Sequence, residues 1–541
     1  MEKLPNLLNS LILYNPRVIF IVFGSLGSYY IYKKMLPLFS SGRKQLWKKI
    51  PFIYKKVENE TRKMKEKNDE DDELYYNKLV EKLRASGVTK VDIGNINTIQ
   101  ETGLNKETLM TYLQTLKDMD TAPKLLSGTM YDDDRENQHK EIMKTAYNLY
   151  AYTNPMHIDL FHSVVFMEKN LIVMISKVLG NAEHQCGSIT NGGTESIFLA
   201  LKTYRDMKHA KMSNNGFLKN AHANMHKINV VAPDTVHCSV DKLCHYLNIR
   251  LIKIKSNHEH RVTVCDILKT VNEYTACVVL STPSYGFGIM DDVEIISPAM
   301  KERGIPVHVD ACLGGFIWMF QEREIASKYS FHVDGVTSIS ACLHKYGYSQ
   351  KGVSCILYRD ESYLKYQYFV TADWDGGLYV SPTILGSRSG GLVAQAWAGF
   401  LSRGYKEYQD SSNKIIQVAK YAHEKLQLVN ECHMFPLDLH IVCFDVGKDT
   451  YKLYDYLVTK GFHLNALQNP AAIHLCVTKT HDECIMDALV QEIETFIQCK
   501  DTLQYKEDLA PIYGMKASIP VYTNEILNEC ISSYLINKYS T

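Results

Sequence analysis

Ser338-Ile-Ser-Ala-Cys-Leu-His-Lys-Tyr-Gly-Tyr-Ser-Gln-Lys-Gly352 sets a His344-Lys345 pair directly after a β-branched run containing Val336, Thr337 and Ile339, and just ahead of a glycine-containing turn. Such residues favour a pleated, half-buried strand, so the pair is expected at a strand end. A lysine held there partly desolvated has a lowered pKa, and its amine can form a Schiff base. Most strand-end lysines are instead solvated surface groups. The pair alone therefore leaves the chemistry open, and its surroundings decide it.

Four further strands precede this one, at 228–231, 251–254, 277–280 and 307–309, and the strand before the lysine covers 336–339. Helical patterns separate them, which predicts an α/β domain with a mostly parallel sheet. Downstream, a long helical stretch over 392–428, short strands at 440–444 and 473–477, and a helix over 484–497 predict a smaller α+β domain. Far upstream, apolar spacing over 104–117 predicts a helix capped by Asn105.

Three features fall before Lys345 in chain order. Thr190-Asn-Gly-Gly-Thr-Glu-Ser196 leads into an apolar helical run. Glycines that open a helix expose backbone N–H groups at its positive end, so Gly193 and Thr194 mark an anion site, although a plain helix start reads similarly. His237 lies in Asp234-Thr-Val-His-Cys-Ser, just past a strand. A lone histidine there is more often a satisfied loop residue. Asp310 ends the apolar strand in Pro306-Val-His-Val-Asp-Ala-Cys-Leu-Gly-Gly-Phe316, where open α/β sheets bind ligands. Burying it alone is costly, so it is expected to face a cation. An anion cradle, an aromatic ring to stack, a strand-end acid and a strand-end lysine are the parts that pyridoxal 5'-phosphate needs. The acid keeps the pyridinium nitrogen protonated, which makes the ring an electron sink.

The segments His308 to Phe316, His344-Lys-Tyr-Gly-Tyr348, Asn191-Gly-Gly-Thr-Glu-Ser-Ile197, Asp373-Trp-Asp-Gly-Gly377, Ser381-Pro-Thr-Ile-Leu-Gly-Ser-Arg388 and Ala510-Pro-Ile-Tyr-Gly-Met515 closely resemble the sphingosine-1-phosphate lyase family. That family lies in the group II decarboxylase-like branch of fold-type I pyridoxal phosphate enzymes, and the resemblance runs from about residue 104 to the C-terminus. It implies a fold-type I large domain with a mostly parallel sheet, a smaller α+β C-terminal domain and a homodimer. It also implies roles for individual residues. Lys345 carries the cofactor. His344 and the Gly193-Thr194 turn bind its phosphate, with Gly386 and Ser387 reaching in from the partner subunit. His237 stacks on the ring and Asp310 holds its nitrogen. Asn154 and His157 match a substrate-site motif, and Tyr131 and Lys351 lie near a substrate phosphate. The implied reaction cleaves a sphingoid base 1-phosphate at C2–C3 by a retro-aldol step, giving phosphoethanolamine and a long-chain aldehyde. An amino-acid decarboxylase of the same fold, or a catalytically weak membrane-bound relative, remains the competing reading. Two departures stand out: Cys342-Leu343 occupies the place of Asp-Thr before His-Lys, removing a buried acid, and Ser389 replaces a proline.

The chain has 541 residues, 45% hydrophobic and 22% charged, with sixty basic and sixty acidic side chains. That length accommodates a large domain and one or two smaller ones, and the charge balance gives no sign of a nucleic-acid binder. The 14 cysteines show no CxxC pair and no zinc-ligand spacing, so a metal is not expected and the thiols read as reduced. Residues 18–32 carry no charge, with Arg17 before them and Lys33-Lys34 after. The run falls short of the roughly 20 residues that span a bilayer, so the flanking cations must snorkel. Basic residues concentrate downstream, which predicts a single-pass anchor with the large part cytosolic, and the resemblance points to the endoplasmic reticulum membrane. The expected division is a lumenal terminus at 1–16, an anchor at 17–36, a charged linker and helical segment at 37–125, the cofactor-binding domain at 126–391 and the small domain at 392–541.

Overall fold

The strands expected before the His-Lys pair form the middle of a seven-stranded sheet in the computed structural model. Residues 102–120, 122–132, 137–214 and 226–503 are described, with isolated positions at 74–85 and 532. The anchor expected at 17–36, most of the charged linker and the Ala510–Met515 motif lie outside the described residues. Among the described residues, no helix is long and apolar enough to cross a membrane. The chain divides into two units, Met1–Ala122 with Gly514–Thr541, and Pro123–Tyr513. The first contains helix α1 (Lys106–Lys117), where Asn105 caps as expected, its side chain accepting from the Thr108 N–H.

The second unit carries the sheet: β1 (Cys186–Thr190), β2 (Asn229–Pro233), β3 (Arg250–Ile254), β4 (Thr275–Ser281), β5 (Val307–Asp310), β6 (Val336–Ala341) and β7 (Ser354–Tyr358), in spatial order β1-β7-β6-β5-β4-β2-β3. From β6 to β3 every pairing is parallel, whereas β7 runs antiparallel to both β6 and β1. Every residue of β4 is buried, the unbroken apolar run of a strand covered on both faces. The five strands expected from sequence are these parallel ones. β1 and β7 escaped notice because Cys-Gly-Ser-Ile-Thr lacks alternation and Ser-Cys-Ile-Leu-Tyr directly follows a turn.

Helices α3 (His162–Val178), α4 (Gly193–Asn214) and α5 (Ser239–Leu247) flank this sheet, while α2 (Gln138–Tyr150) packs on α6 (Gly390–Gln427), which follows the sheet. α6 is two helices joined at Gly404, whose φ of 66° and ψ of 173° are non-helical. The C-terminal part is an antiparallel four-stranded sheet of β8 (His433–Met434), β9 (Ile441–Asp445), β10 (Asn465–Leu467) and β11 (Ala472–Cys476), ordered β8-β9-β11-β10. It is completed by α7 (Thr450–Thr459) and α8 (Glu483–Cys499). Both strands and the last helix expected there are present. All 13 described cysteines are free.

Candidate active site

Open α/β sheets bind ligands at the carboxyl ends of their strands, and a cavity of about 650 Å³ lies where several strand ends meet a helix start. Asn191, Gly192, Gly193 and Thr194 contribute the N-terminus of α4; Asp310 ends β5 and Cys312 follows it; Cys342, His344 and Lys345 follow β6; and His237 precedes α5. The sequence-predicted set of Gly193, Thr194, His237, Asp310, His344 and Lys345 thus converges on one space.

Asp310 is buried, and its Oδ1 accepts the Cys312 N–H at 3.1 Å and the Ser340 hydroxyl at 3.2 Å. Burial pushes its carboxyl up, but the Cys312 hydrogen bonds and the nearby His237 and His308 outweigh that and hold it below its ordinary value. It is a carboxylate facing the cavity. The His237 Nδ1 accepts the Ser239 N–H at 3.1 Å, and burial lowers its pKa, so the ring is a neutral imidazole. At α4, the Glu195 carboxylate accepts the Asn191 N–H at 2.6 Å and the Ile384 N–H at 3.0 Å, tying the glycine turn to a distant loop.

Lys345 departs from expectation. Its burial does lower the ammonium pKa, but Cys342, then Cys312, Tyr131 and Asp310, raise it further, and the net shift is upward. Cys342 accounts for much of this. A hydrogen bond from Cys312 holds its thiol well below the ordinary value against the opposing effect of burial, with Lys345 and His344 adding to the effect. The place of the buried acid lost with the Asp-Thr departure is thus taken by a thiol whose pKa is shifted downward.

A smaller cavity of about 250 Å³ shares Lys345 and His344 with the first and adds Tyr131, Lys140, Lys144 and Lys351. The Lys351 Nζ lies 4.7 Å from the Tyr131 ring centre and donates to the Thr129 carbonyl at 2.5 Å. Asn154, His157, Gly386 and Ser387 line neither of these two cavities. Asn154 instead donates to the Ser387 hydroxyl at 3.1 Å and accepts the Arg388 N–H at 3.2 Å. Arg388 in turn forks onto Glu168 at 2.9 and 3.1 Å and donates to the Ile189 carbonyl. The sequence reading missed Glu195, Arg388 and the acidity of Cys342. Arg388 stood in a quoted motif, but its partner on α3 is remote in the chain.

An anion-seeking helix terminus, a carboxylate, a neutral imidazole and a buried lysine in one cavity match the phosphate, ring nitrogen, ring face and aldehyde of pyridoxal phosphate. Comparisons with known proteins agree. Residues 148–446 match the pyridoxal-dependent decarboxylase conserved domain. The chain is 36% identical to a sphingosine-1-phosphate lyase of Arabidopsis thaliana, over 76% of each protein. It is 34% identical to one of Drosophila melanogaster, over 93% of this chain and 90% of that one. Among solved structures, a sphingosine-1-phosphate lyase from Burkholderia pseudomallei superposes with a TM-score of 0.68 at 28% identity, covering 74% of this chain and 92% of the other. The chain belongs to the sphingosine-1-phosphate lyases, pyridoxal phosphate-dependent enzymes of the decarboxylase-like family.

Proposed function

We propose that the protein cleaves sphingoid base 1-phosphates between C2 and C3 by a retro-aldol step, yielding phosphoethanolamine and a long-chain aldehyde in sphingolipid breakdown. The observation that carries this reading is the second cavity, where Lys351 and Tyr131 meet beside Lys345. A phosphate set one carbon from the reacting amine needs a cation and a donor at that short remove from the cofactor lysine. Burial raises the Tyr131 pKa, so its phenol stays protonated and donates to a phosphate oxygen.

Lys345 would be the amine that holds the cofactor, and the Asp310 carboxylate would keep a proton on the ring nitrogen. Neutral His237 would face the ring, while His344 and the Gly193-Thr194 turn would hold the phosphate. When bound, pyridoxal phosphate accepts the electrons released as the C2–C3 bond breaks. Incubation with sphingosine 1-phosphate and the cofactor is expected to release fatty aldehyde; release of carbon dioxide from an amino acid instead would sink the assignment. Lys351→Ala should lower kcat/KM on the order of 100-fold, consistent with a charge-assisted phosphate contact of about 3 kcal/mol, and leave the cofactor spectrum in place. An unchanged kcat/KM would remove Lys351 from phosphate binding.

A homodimer forms part of this proposal. Ile158, Leu160, Phe166 and Leu378 are exposed near the motifs of Asn154, His157, Gly386 and Ser387, and exposed apolar patches mark interfaces. In the dimer, Gly386 and Ser387 would complete the partner's phosphate site, with Asn154 and His157 reaching the substrate. A membrane anchor over 17–36 in the endoplasmic reticulum, with a cytosolic catalytic part, is supported by the uncharged run and its basic flanks, and suits a substrate whose alkyl chain partitions into lipid. Extraction by alkaline carbonate rather than by detergent would refute the anchor.

A further inference from the structure

Cys312 and Cys342 stand at the ends of two adjacent parallel strands in the wall of the cofactor cavity. In the register of β5 and β6, Asp310 lies opposite Ser340, and the Ala311 N–H donates to the Ser340 carbonyl at 2.9 Å, carrying the ladder past the end of β5. Two residues beyond that pair, each just past the end of its strand, come the cysteines. The strands they follow run about 4.8 Å apart, and a disulfide spans about 4.4–6.8 Å between Cα atoms. The side chains converge: each sulfur lies 2.8 Å from the point where a Cβ on Gly193 would sit. Gly193 is therefore also the residue whose missing side chain leaves room for the sulfurs to meet.

We propose that Cys312 and Cys342 are an oxidation site, a dithiol that a hydroperoxide converts to an intramolecular disulfide, disabling the lyase site reversibly. Both side chains are almost fully buried from bulk water, yet both line the cavity, so a small oxidant reaches them through it. The two sulfurs also differ in character. Cys342 is held toward thiolate, the reactive form, beside Lys345 and His344, while Cys312 keeps its proton. Other buried thiols lack these features: Cys355 lines neither cavity and burial pushes it up to about 12.

In the first step, the Cys342 thiolate attacks one peroxide oxygen. The O–O bond breaks, the leaving oxygen departs as hydroxide or alkoxide and takes up a proton, and Cys342 becomes a sulfenic acid. In the second step, the Cys312 sulfur attacks the Cys342 sulfur. The S–O bond breaks, hydroxide leaves with the Cys312 proton as water, and the S–S bond forms. Two thiols lose two electrons and the peroxide gains them, giving water and an alcohol or a second water. A dithiol reductant reverses the bond by exchange. The disulfide removes the anionic sulfur beside Lys345 and fixes the strand ends under the Gly193 turn.

The test treats the full-length, cofactor-loaded enzyme with hydrogen peroxide, blocks remaining thiols by alkylation and maps peptides without reduction. The expected result is a cross-linked peptide pair carrying residues 312 and 342, with activity falling at least tenfold and returning with dithiothreitol. The chemistry and the loss of activity are read separately, so failure of the lyase assignment would leave the cross-link intact. Cys312→Ser is expected to stop at a Cys342 sulfenic acid that dimedone traps. In Cys342→Ser, the ratio of treated to untreated activity should stay near one, whatever its starting activity. Absence of the cross-link in wild type, at a dose that oxidises exposed Cys484, overturns the proposal without recourse to any variant. A cross-link that leaves activity untouched overturns its disabling role.

Discussion

Lys345 shows how neighbours can outvote burial at a single side chain. A lysine sealed from water would by itself be a weak acid's partner with a depressed pKa. Here the neighbouring sulfurs of Cys342 and Cys312 and the Asp310 carboxylate outweigh burial and raise its pKa instead. Lys345→Ala is expected to abolish both the visible absorbance of bound cofactor and lyase turnover; retained colour would exclude Lys345 as the attachment point. Asp310→Asn removes the charge opposite the ring nitrogen and should lower kcat on the order of 100-fold or more, with the aldehyde assay as readout; undiminished turnover would dismiss the electron-sink role. These residues could be read from sequence because a strand-end acid and a helix-opening glycine are local patterns. The acidity of Cys342 could not, since its largest cause, Cys312, lies thirty residues away on the neighbouring strand's end, although Lys345 and His344 are close in sequence.

At the level of elements, the parallel strands announced themselves through unbroken β-branched runs, whereas β1 and β7 did not. β7 is held by contacts that no local pattern encodes: the Asn181 side chain donates to the Tyr358 carbonyl at 2.9 Å, and Ser354 bonds to Ser196 of α4 at 2.9 Å. The long helix α6 gives a sharper lesson. Periodicity runs through Gly404 as though nothing happened, yet the backbone there turns into a region that only glycine adopts without strain. The break lets the first half pack on α2, with Met143 against Gly399, while the second half reaches α8 through the Tyr421 hydroxyl on Asp487 at 2.7 Å. Gly404→Ala should destabilise the fold by about 1–3 kcal/mol, measured by urea unfolding. An unchanged midpoint would mean that the two halves tolerate a continuous helix.

Across the Pro123–Tyr513 unit, acid sensitivity comes from imidazoles locked in the neutral form. Burial lowers His308, His474 and His481 to about 4 and His440 to about 3, from 6.5. The unfolded chain therefore binds protons more readily than the folded one as pH falls from 6.5 toward 4, and stability is lost through that window. Asp291 acts in the opposite sense: burial raises its carboxyl to about 7, so its contribution is lost as pH rises from about 4 to 7. Four groups against one give a net loss on acidification. The melting temperature is expected to fall by several degrees between pH 7 and pH 5, and a flat profile would contradict the neutral-histidine account.

The connection between β6 and β7 has a consequence for which molecules the enzyme can tell apart. Because β7 returns antiparallel, Lys345 and Lys351 ride on one closed bend, stapled where the His344 N–H meets the Val353 carbonyl at 3.1 Å and the Val353 N–H meets the His344 ring at 3.2 Å. Such a bend works as a calliper of fixed opening. A headgroup with one extra carbon between its amine and its phosphate would miss one jaw, while a tail several carbons longer or shorter would go unmeasured.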